Sequence, residues 1–313
     1  MRWCLFAVIG LLGACQSTSI ERVVPASAAV VNEYQLPEWQ SPRERDHAQV
    51  GQIIDLRSGD EITLGALVQT LAAAPVVLLG EKHDNLDHHA LQLWLLQTLE
   101  QQRKQGALVM EMLTVNQQET VSAVQDQVRV GNLPDDLPAA LDWHKGWDWQ
   151  QYGELVTYAL QQPYPLLAAN LNRDALMGIY RNPPVLKGAA STAAEVSLRL
   201  SEQIRESHCN KLPEKQVPAM LAVQQQRDRS MAQILLDAPR PALLIAGAYH
   251  VRYDLGIPLH LQDLQDLQSL DVPDKDEQKV LIFAEVGQTI DQGSADFVWY
   301  TPAVAEKDYC ADL

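Results

Sequence analysis

The sequence predicts an α/β fold, with a mainly parallel central sheet flanked by helices and a helical insert. Three observations predict it. Short apolar runs recur without a polar interruption, as strands buried on both faces do. Longer stretches between them carry apolar residues at three- and four-residue spacing, the helical period. Of the 313 residues, 47% are apolar and 20% charged, enough for a large core and too weakly charged for a disordered chain.

Taken in order, residues 16 to about 45 hold scattered Ser, Pro and charged residues with no sustained period, and read as a tether. Residues 51–63 suggest a short hairpin turning at Ser58-Gly59-Asp60. Leu64 to Ala74 has Leu64, Leu67, Val68 and Leu71 at helical spacing. Val76 to Leu79 is the first buried strand. Leu86 to Lys104 is a long amphipathic helix with Leu91, Trp94, Leu95 and Leu99 on one side and Asn85 as its cap. Ala107 to Met110 is the second strand, and helices follow near 116–130 and 149–162. Pro165 to Ala169, Ala242 to Ala246 and Val280 to Ala284 are the third, fourth and fifth strands. The span between the third and fourth, helical in pattern at 172–181, 190–208 and 213–236, exceeds an ordinary crossover. It reads as a helical insert over 172–237. The domain plan is a signal peptide (1–14), a lipidated N-terminus and tether (15–45) and one α/β domain (46–313).

The net charge of −16 argues against nucleic acid as a partner, because an acidic surface repels a phosphate backbone. Any anionic ligand needs a local group of cations. At the N-terminus, Arg2 precedes an apolar run from Cys4 to Ala14 that is too short to span a bilayer, so it reads as a signal peptide. Its end, Leu12-Gly13-Ala14-Cys15, resembles the lipobox of bacterial lipoproteins, in which the Cys is acylated and becomes the mature N-terminus. Gln16 follows where an Asp would signal inner-membrane retention. The expected location is therefore the outer membrane, periplasmic side, with membrane contact through the lipid alone. In that oxidising compartment Cys209 and Cys310 remain, and we expect them to pair and tie the C-terminal tail to a helical segment.

Polar groups stand where the apolar runs stop. Gly80-Glu81-Lys82-His83-Asp84-Asn85 follows the first strand, Glu111 the second, Asn170-Leu171-Asn172-Arg173 the third, and Gly247-Ala248-Tyr249-His250-Val251-Arg252 the fourth. In a parallel sheet those ends share one edge, the edge where such folds bind ligands. Glu81, His83, Glu111, Arg173 and His250 should therefore converge. Taken singly, each has a plainer reading as a helix cap or surface residue, and His88 and His89 read as solvated or packing residues of a first helical turn. Two imidazoles and two carboxylates also make a plausible Zn or Mn set. The helix-borne H-E-x-x-H spacing, the G-x-S-x-G elbow and the Gly-rich nucleotide fingerprints do not occur.

In order, GEKHDNLDHH, VMEM, LLAANLNR, QQQRDRSMA and AGAYHVRYDLGIP resemble the ChaN-like haem-binding lipoproteins, over residues 50 to 265. That family shares a superfamily with Tiki-type proteases and erythromycin esterases. The resemblance implies a protein that binds haem during iron uptake without turnover, its iron held by a Tyr and its propionates met by His and Lys. Lys82 and His83, then His250 and Arg252, fall in the matching blocks, and Arg173 would join them as a cation. Tyr249 is the first choice for the iron, with Tyr152, Tyr180 and Tyr253 as alternatives. Haem needs an apolar slot, an axial donor and cations for two carboxylates. Trp143, Trp147, Trp149 and Tyr152 either wall that slot or pack the core, and His208 and Asp228 either reach the same edge or make helix contacts. A second subunit could complete a flat site at a sheet rim, making a homodimer, and a haem uptake system would be the further partner. The rival reading is a hydrolase of the same superfamily, using Glu81, His83, Glu111 and His250 as metal ligands or as acid and base.

Overall fold

The computed structural model describes Met1, residues 34–268 and residues 277–311; the rest of the signal segment, Cys15 and the tether as far as residue 33 lie outside the described residues. Among the described residues, seven strands form one sheet: β1 (Ile53–Asp55), β2 (Val76–Glu81), β3 (Ala107–Thr114), β4 (Leu166–Asn170), β5 (Ala242–Gly247), β6 (Gln278–Glu285) and β7 (Phe297–Thr301), in the order β1-β7-β6-β2-β5-β3-β4. All neighbours are parallel except β1 with β7.

Alternation along each strand sorts side chains to two faces. Val77 and Leu79 of β2, with Leu243 and Ile245 of β5, point to one core; Val76 and Leu78, with Leu244 and Ala246, point to the other. The first core is closed by α1 (Leu64–Ala73), α2 (Leu86–Gln102), α3 (Gln118–Arg129) and α5 (Trp149–Leu160). A one-turn helix, α4 (Leu137–Ala140), precedes α5. The insert then supplies α6 (Arg173–Arg181), α7 (Ala194–Ser207) and α8 (Val217–Asp237). After β5 come α9 (Ala248–Val251) and α10 (Ile257–Gln268). Met231, Ala232 and Leu235 of α8, with Leu261 and Leu264 of α10, close the second core.

Several elements differ from the sequence reading. The tether reading stops short: residues 34–45 pack on the domain, with the Gln40 and Ser41 amides donating to the buried Asp87 carboxylate at 2.6 and 3.1 Å. The short hairpin at 51–63 forms around the expected turn, the Ile62 amide donating to the Ile53 carbonyl at 2.8 Å and the Asp55 amide to the Asp60 carbonyl at 2.9 Å, but its return arm makes one bridge, Ile54 to Glu61, while β1 also pairs with β7. β7 is not among the five predicted strands. It runs parallel to β6 with no helix between them, so the strand–helix alternation does not announce it. The insert is helical as expected, but α8 covers β3 and β4 and so serves as part of the sheet's second layer. α2 is buried almost all round, where one apolar side was expected; Trp94 meets Tyr34 edge-on at 5.8 Å and Trp299 at 6.0 Å. Cys209 and Cys310 form the expected disulfide, with Cα atoms 5.9 Å apart. No helix among the described residues is long and apolar enough to cross a membrane.

Candidate functional site

The C-terminal edge of the adjacent strands β2, β5 and β3 carries two charged clusters, one on each face of the sheet. Glu81 is the last residue of β2 and shares the face of Val77 and Leu79, so its buried carboxylate points towards α2 and α5. Oε1 accepts from the Tyr152 hydroxyl at 2.6 Å and meets His83 Nδ1 at 2.9 Å; Oε2 accepts from Gln92 Nε2 at 2.6 Å and meets His89 Nδ1 at 3.1 Å. Burial alone would raise the Glu81 pKa, but the two imidazoles outweigh it and hold the carboxylate far below its ordinary range. His89 Nε2 donates to the His83 carbonyl at 3.0 Å, so both ring nitrogens face acceptors. Its pKa is raised despite burial, chiefly by Glu81. His88 differs: its Nδ1 accepts from the Lys82 amide at 2.9 Å, and burial with the His89 charge beside it lowers its pKa to about 3. It is a neutral structural residue.

Glu111 sits inside β3, which runs on to Thr114, and not just past the strand end as the sequence suggested. It shares the face of Val109, towards α8. Its fully buried carboxylate pairs with Arg227 Nη2 and lies 3.3 Å from His250 Nε2, while Oε2 accepts from the Gly247 amide at 2.8 Å. His250 Nδ1 bonds Asp228. Burial opposes the charge on His250, but Glu111 and Asp228 overcome it and raise the pKa to about 9. Arg227 also donates through Nε to Asn170 Oδ1 at 3.1 Å, bringing the end of β4 into the cluster.

Gly247 joins the two halves. A Cβ at that position would stand 2.8 Å from His83 Nε2 and 3.7 Å from Glu111 Oε2, so the missing side chain is what lets His83 reach across the edge. Above this junction opens a cleft of about 630 Å³. Its walls include Ala248, Ile282, Phe283 and Ile290, and its rim carries Lys82, His83 and Arg252. Tyr249, in the first turn after β5, stands 48% exposed in the cleft with the Arg252 guanidinium 5.9 Å from its ring centre.

Glu81, His83, Glu111 and His250 thus meet, but Arg173 does not join them. It is an exposed first residue of α6, and Arg227 of α8 fills the place expected for it. The two rim cations are already paired, Lys82 with Glu285 (3.1 Å) and Asp84 (3.2 Å), Arg252 with Asp254 (2.8 Å) and Asp291 (3.0 Å). Of the alternative tyrosines, Tyr152 is buried against Glu81, Tyr253 is buried with its hydroxyl on the Gln278 carbonyl and Asp296, and Tyr180 lies on α6 outside the cleft lining. Trp147 stacks edge-on against His83 at 4.9 Å, whereas Trp143 and Trp149 pack on each other. His208 caps α7 by bonding the Ile204 carbonyl, away from the cluster, whereas Asp228 does reach it. Among the described residues no group of three His, Cys, Asp or Glu is arranged to hold a metal ion such as the Zn or Mn considered from the sequence, and imidazoles, Arg227 and a backbone amide meet the two carboxylates. The sequence reading missed His89, Gln92 and Arg227. His89 and Gln92 sit three residues apart on one helix face, a readable signal; Arg227 lay within QQQRDRSMA without a strand end to mark it.

Comparison with known proteins identifies the family. A family model described as haem-binding uptake, Tiki superfamily, ChaN matches residues 67–261. No curated protein matches. Among solved structures, ChaN of Campylobacter jejuni, described by its cofacial heme binding, is 30% identical, with a TM-score of 0.70 over 79% of this chain and 95% of that one. A Bacillus cereus protein (13% identity, TM-score 0.43, 71% of this chain and 68% of that one) and an erythromycin esterase, EreC (12%, 0.43, 87% and 85%), are more distant. With the family model spanning most of the domain and a 30%-identical ChaN covered almost end to end, the chain belongs to the ChaN family of haem-binding uptake proteins in the Tiki superfamily.

Proposed function

We propose that the cleft above Gly247 binds haem, with Tyr249 as the iron ligand, and that the protein serves haem or iron uptake. The observation that carries this reading is the donor set. One half-exposed phenol lies between apolar walls and a guanidinium, in a cleft on the edge where parallel sheets hold ligands. A phenolate is a hard anionic donor suited to ferric iron, and the bound haem would supply the redox-active iron. His83, partly exposed and with its pKa raised by Glu81 and Glu111 against burial, is a cation for one propionate. Lys82 and Arg252 meet the other by exchanging one of their present carboxylate partners. Titration with hemin tests this. A saturable Soret shift is expected, lost in Tyr249→Phe and kept in Tyr180→Phe; a shift that survives Tyr249→Phe removes Tyr249 as the ligand.

The finer reading is an outer-membrane lipoprotein facing the periplasm, acylated at Cys15, in which a second copy completes the haem site and a haem uptake system is the partner. The apolar run ending in Cys15 supports it. Palmitate labelling lost in Cys15→Ser, with release of the protein into the soluble periplasmic fraction, is the expected result. Light scattering with and without hemin reads the oligomeric state.

One observation favours a second reading. The charged groups beneath the cleft, Glu81, His83, Glu111 and His250, form acid–base pairs more elaborate than a passive carrier needs. Hydrolysis of model esters that disappears in His83→Ala, with no Soret shift in the wild type, would replace haem binding by acid–base hydrolysis.

A further inference from the structure

The C-terminal tail beyond β7 lies outside the span matched by the family model, yet it touches the cleft rim. The Pro302 carbonyl accepts from Asn85 Nδ2 at 3.1 Å, and the Val304 amide donates to Glu285 Oε1 at 3.0 Å, the same oxygen that holds Lys82 Nζ. Arg43 pairs with Glu306 at 2.9 Å. Tyr309 donates its hydroxyl to Asp84 and lays its ring 5.6 Å from Lys82 Nζ. Cys310 is then bonded to Cys209, just past α7, the helix whose Gln203 lines the cleft, and Lys211 Nζ donates to the Cys310 carbonyl at 2.9 Å. The tail therefore starts at the sheet, crosses the Lys82–Asp84 rim and is fastened at its far end to the helical layer.

We propose that residues 302–311 are a strap that braces the Lys82 side of the cleft rim from outside the lining, latched by Cys209–Cys310, with Tyr309 as a positioning residue that fixes Lys82 through Asp84. The inference rests on the haem reading only for the identity of the ligand. Fastening both ends restricts the strap's freedom to swing away, so the latch governs access to Lys82 and escape of whatever the cleft holds.

Two measurements on the full chain test it. The first uses no haem: acetylation of lysines by an amine-reactive reagent, followed by peptide mass spectrometry, with exposed Lys145 as the internal reference. Lys82 should react about tenfold faster in Cys209→Ser/Cys310→Ser, and faster also in Tyr309→Phe, which keeps the disulfide; tenfold is the scale of one hydrogen bond to a charged group. Lys145 should be unchanged. Equal Lys82 rates in wild type and both variants overturn the strap. The second is stopped-flow transfer of hemin to excess apo-globin. Release should be about tenfold faster from the double variant, by the same hydrogen-bond scale. If the wild type shows no saturable Soret shift, the haem reading fails while the Lys82 rates still decide the strap. If it binds hemin and releases it at the variant's rate, the strap fails and haem binding stands.

Discussion

Glu111 stays ionised without access to water because Arg227, His250 and the Gly247 amide converge on it. Its pKa is held well below 4.5, burial being outweighed by the two cations. Removing a partner charge should therefore be felt at a distance. Asp228→Asn keeps the shape of the side chain but takes away one of the two carboxylates holding the His250 proton. We expect the His250 pKa to fall from about 9 by about one unit or more, read by NMR titration of its ring proton. An unmoved titration would show that Glu111 alone holds the charge. The same shifts set how stability depends on pH. His250 has a folded pKa above its unfolded value of 6.5, so its contribution is complete below about 6.5 and lost as pH rises through about 9. The raised values of His83 and His89 act in the same direction. Glu81 and Glu111 have lowered values, so their contribution is present above about 4.5 and lost as pH falls. His88, lowered to about 3, and His260, also lowered by burial, act the opposite way, their contribution being complete above about 6.5 and lost as pH falls. Thermal unfolding should accordingly peak near pH 6.5 and decline towards pH 9, by an amount on the order of 3 kcal/mol. A midpoint that is flat from pH 6.5 to 9 would contradict the charged imidazoles.

At the scale of elements, two glycines decide how closely the strand ends and the turn after β5 approach. A methyl on Gly80 would meet the Val251 side chain at 2.5 Å and the Ala248 backbone at 3.0 Å, so α9 could not lie on β2. Gly80→Ala should cost about 1–3 kcal/mol of stability by overpacking, measured by urea unfolding. Gly247→Ala acts differently. Its methyl displaces His83, a partly exposed side chain that can swing out, so stability should change less than in Gly80→Ala while hemin affinity drops. Equal losses of stability in the two variants would mean that His83 is as rigid as the backbone. The same scale explains why the insert was only half legible. Its helical period announces α6, α7 and α8, but that α8 supplies Arg227 and Asp228 to the edge follows from its packing across β3 and β4.

For the whole molecule, the net charge of −16 opposes an anionic ligand, and the rim cations are neutralised by Asp84, Glu285, Asp254 and Asp291. Steering of hemin is therefore unfavourable at long range. Its association rate should rise between about 0.01 M and 0.15 M salt, as the screening length falls from about 30 Å to about 8 Å. A rate that falls with salt would reveal a positive funnel around the cleft.

The sequence alone determined the parallel α/β core, because strands buried on both faces leave uninterrupted apolar runs. It also placed Glu81, His83 and His250 at strand ends, and left Cys209 and Cys310 as partners. Only the tertiary structure decided that the edge holds two clusters on opposite faces bridged over Gly247, that Arg227 rather than Arg173 neutralises Glu111, and that the C-terminal tail returns to the rim. Those facts depend on which residues far apart in the chain come within bonding distance, and strand order and helix packing set that proximity, whereas local periodicity does not.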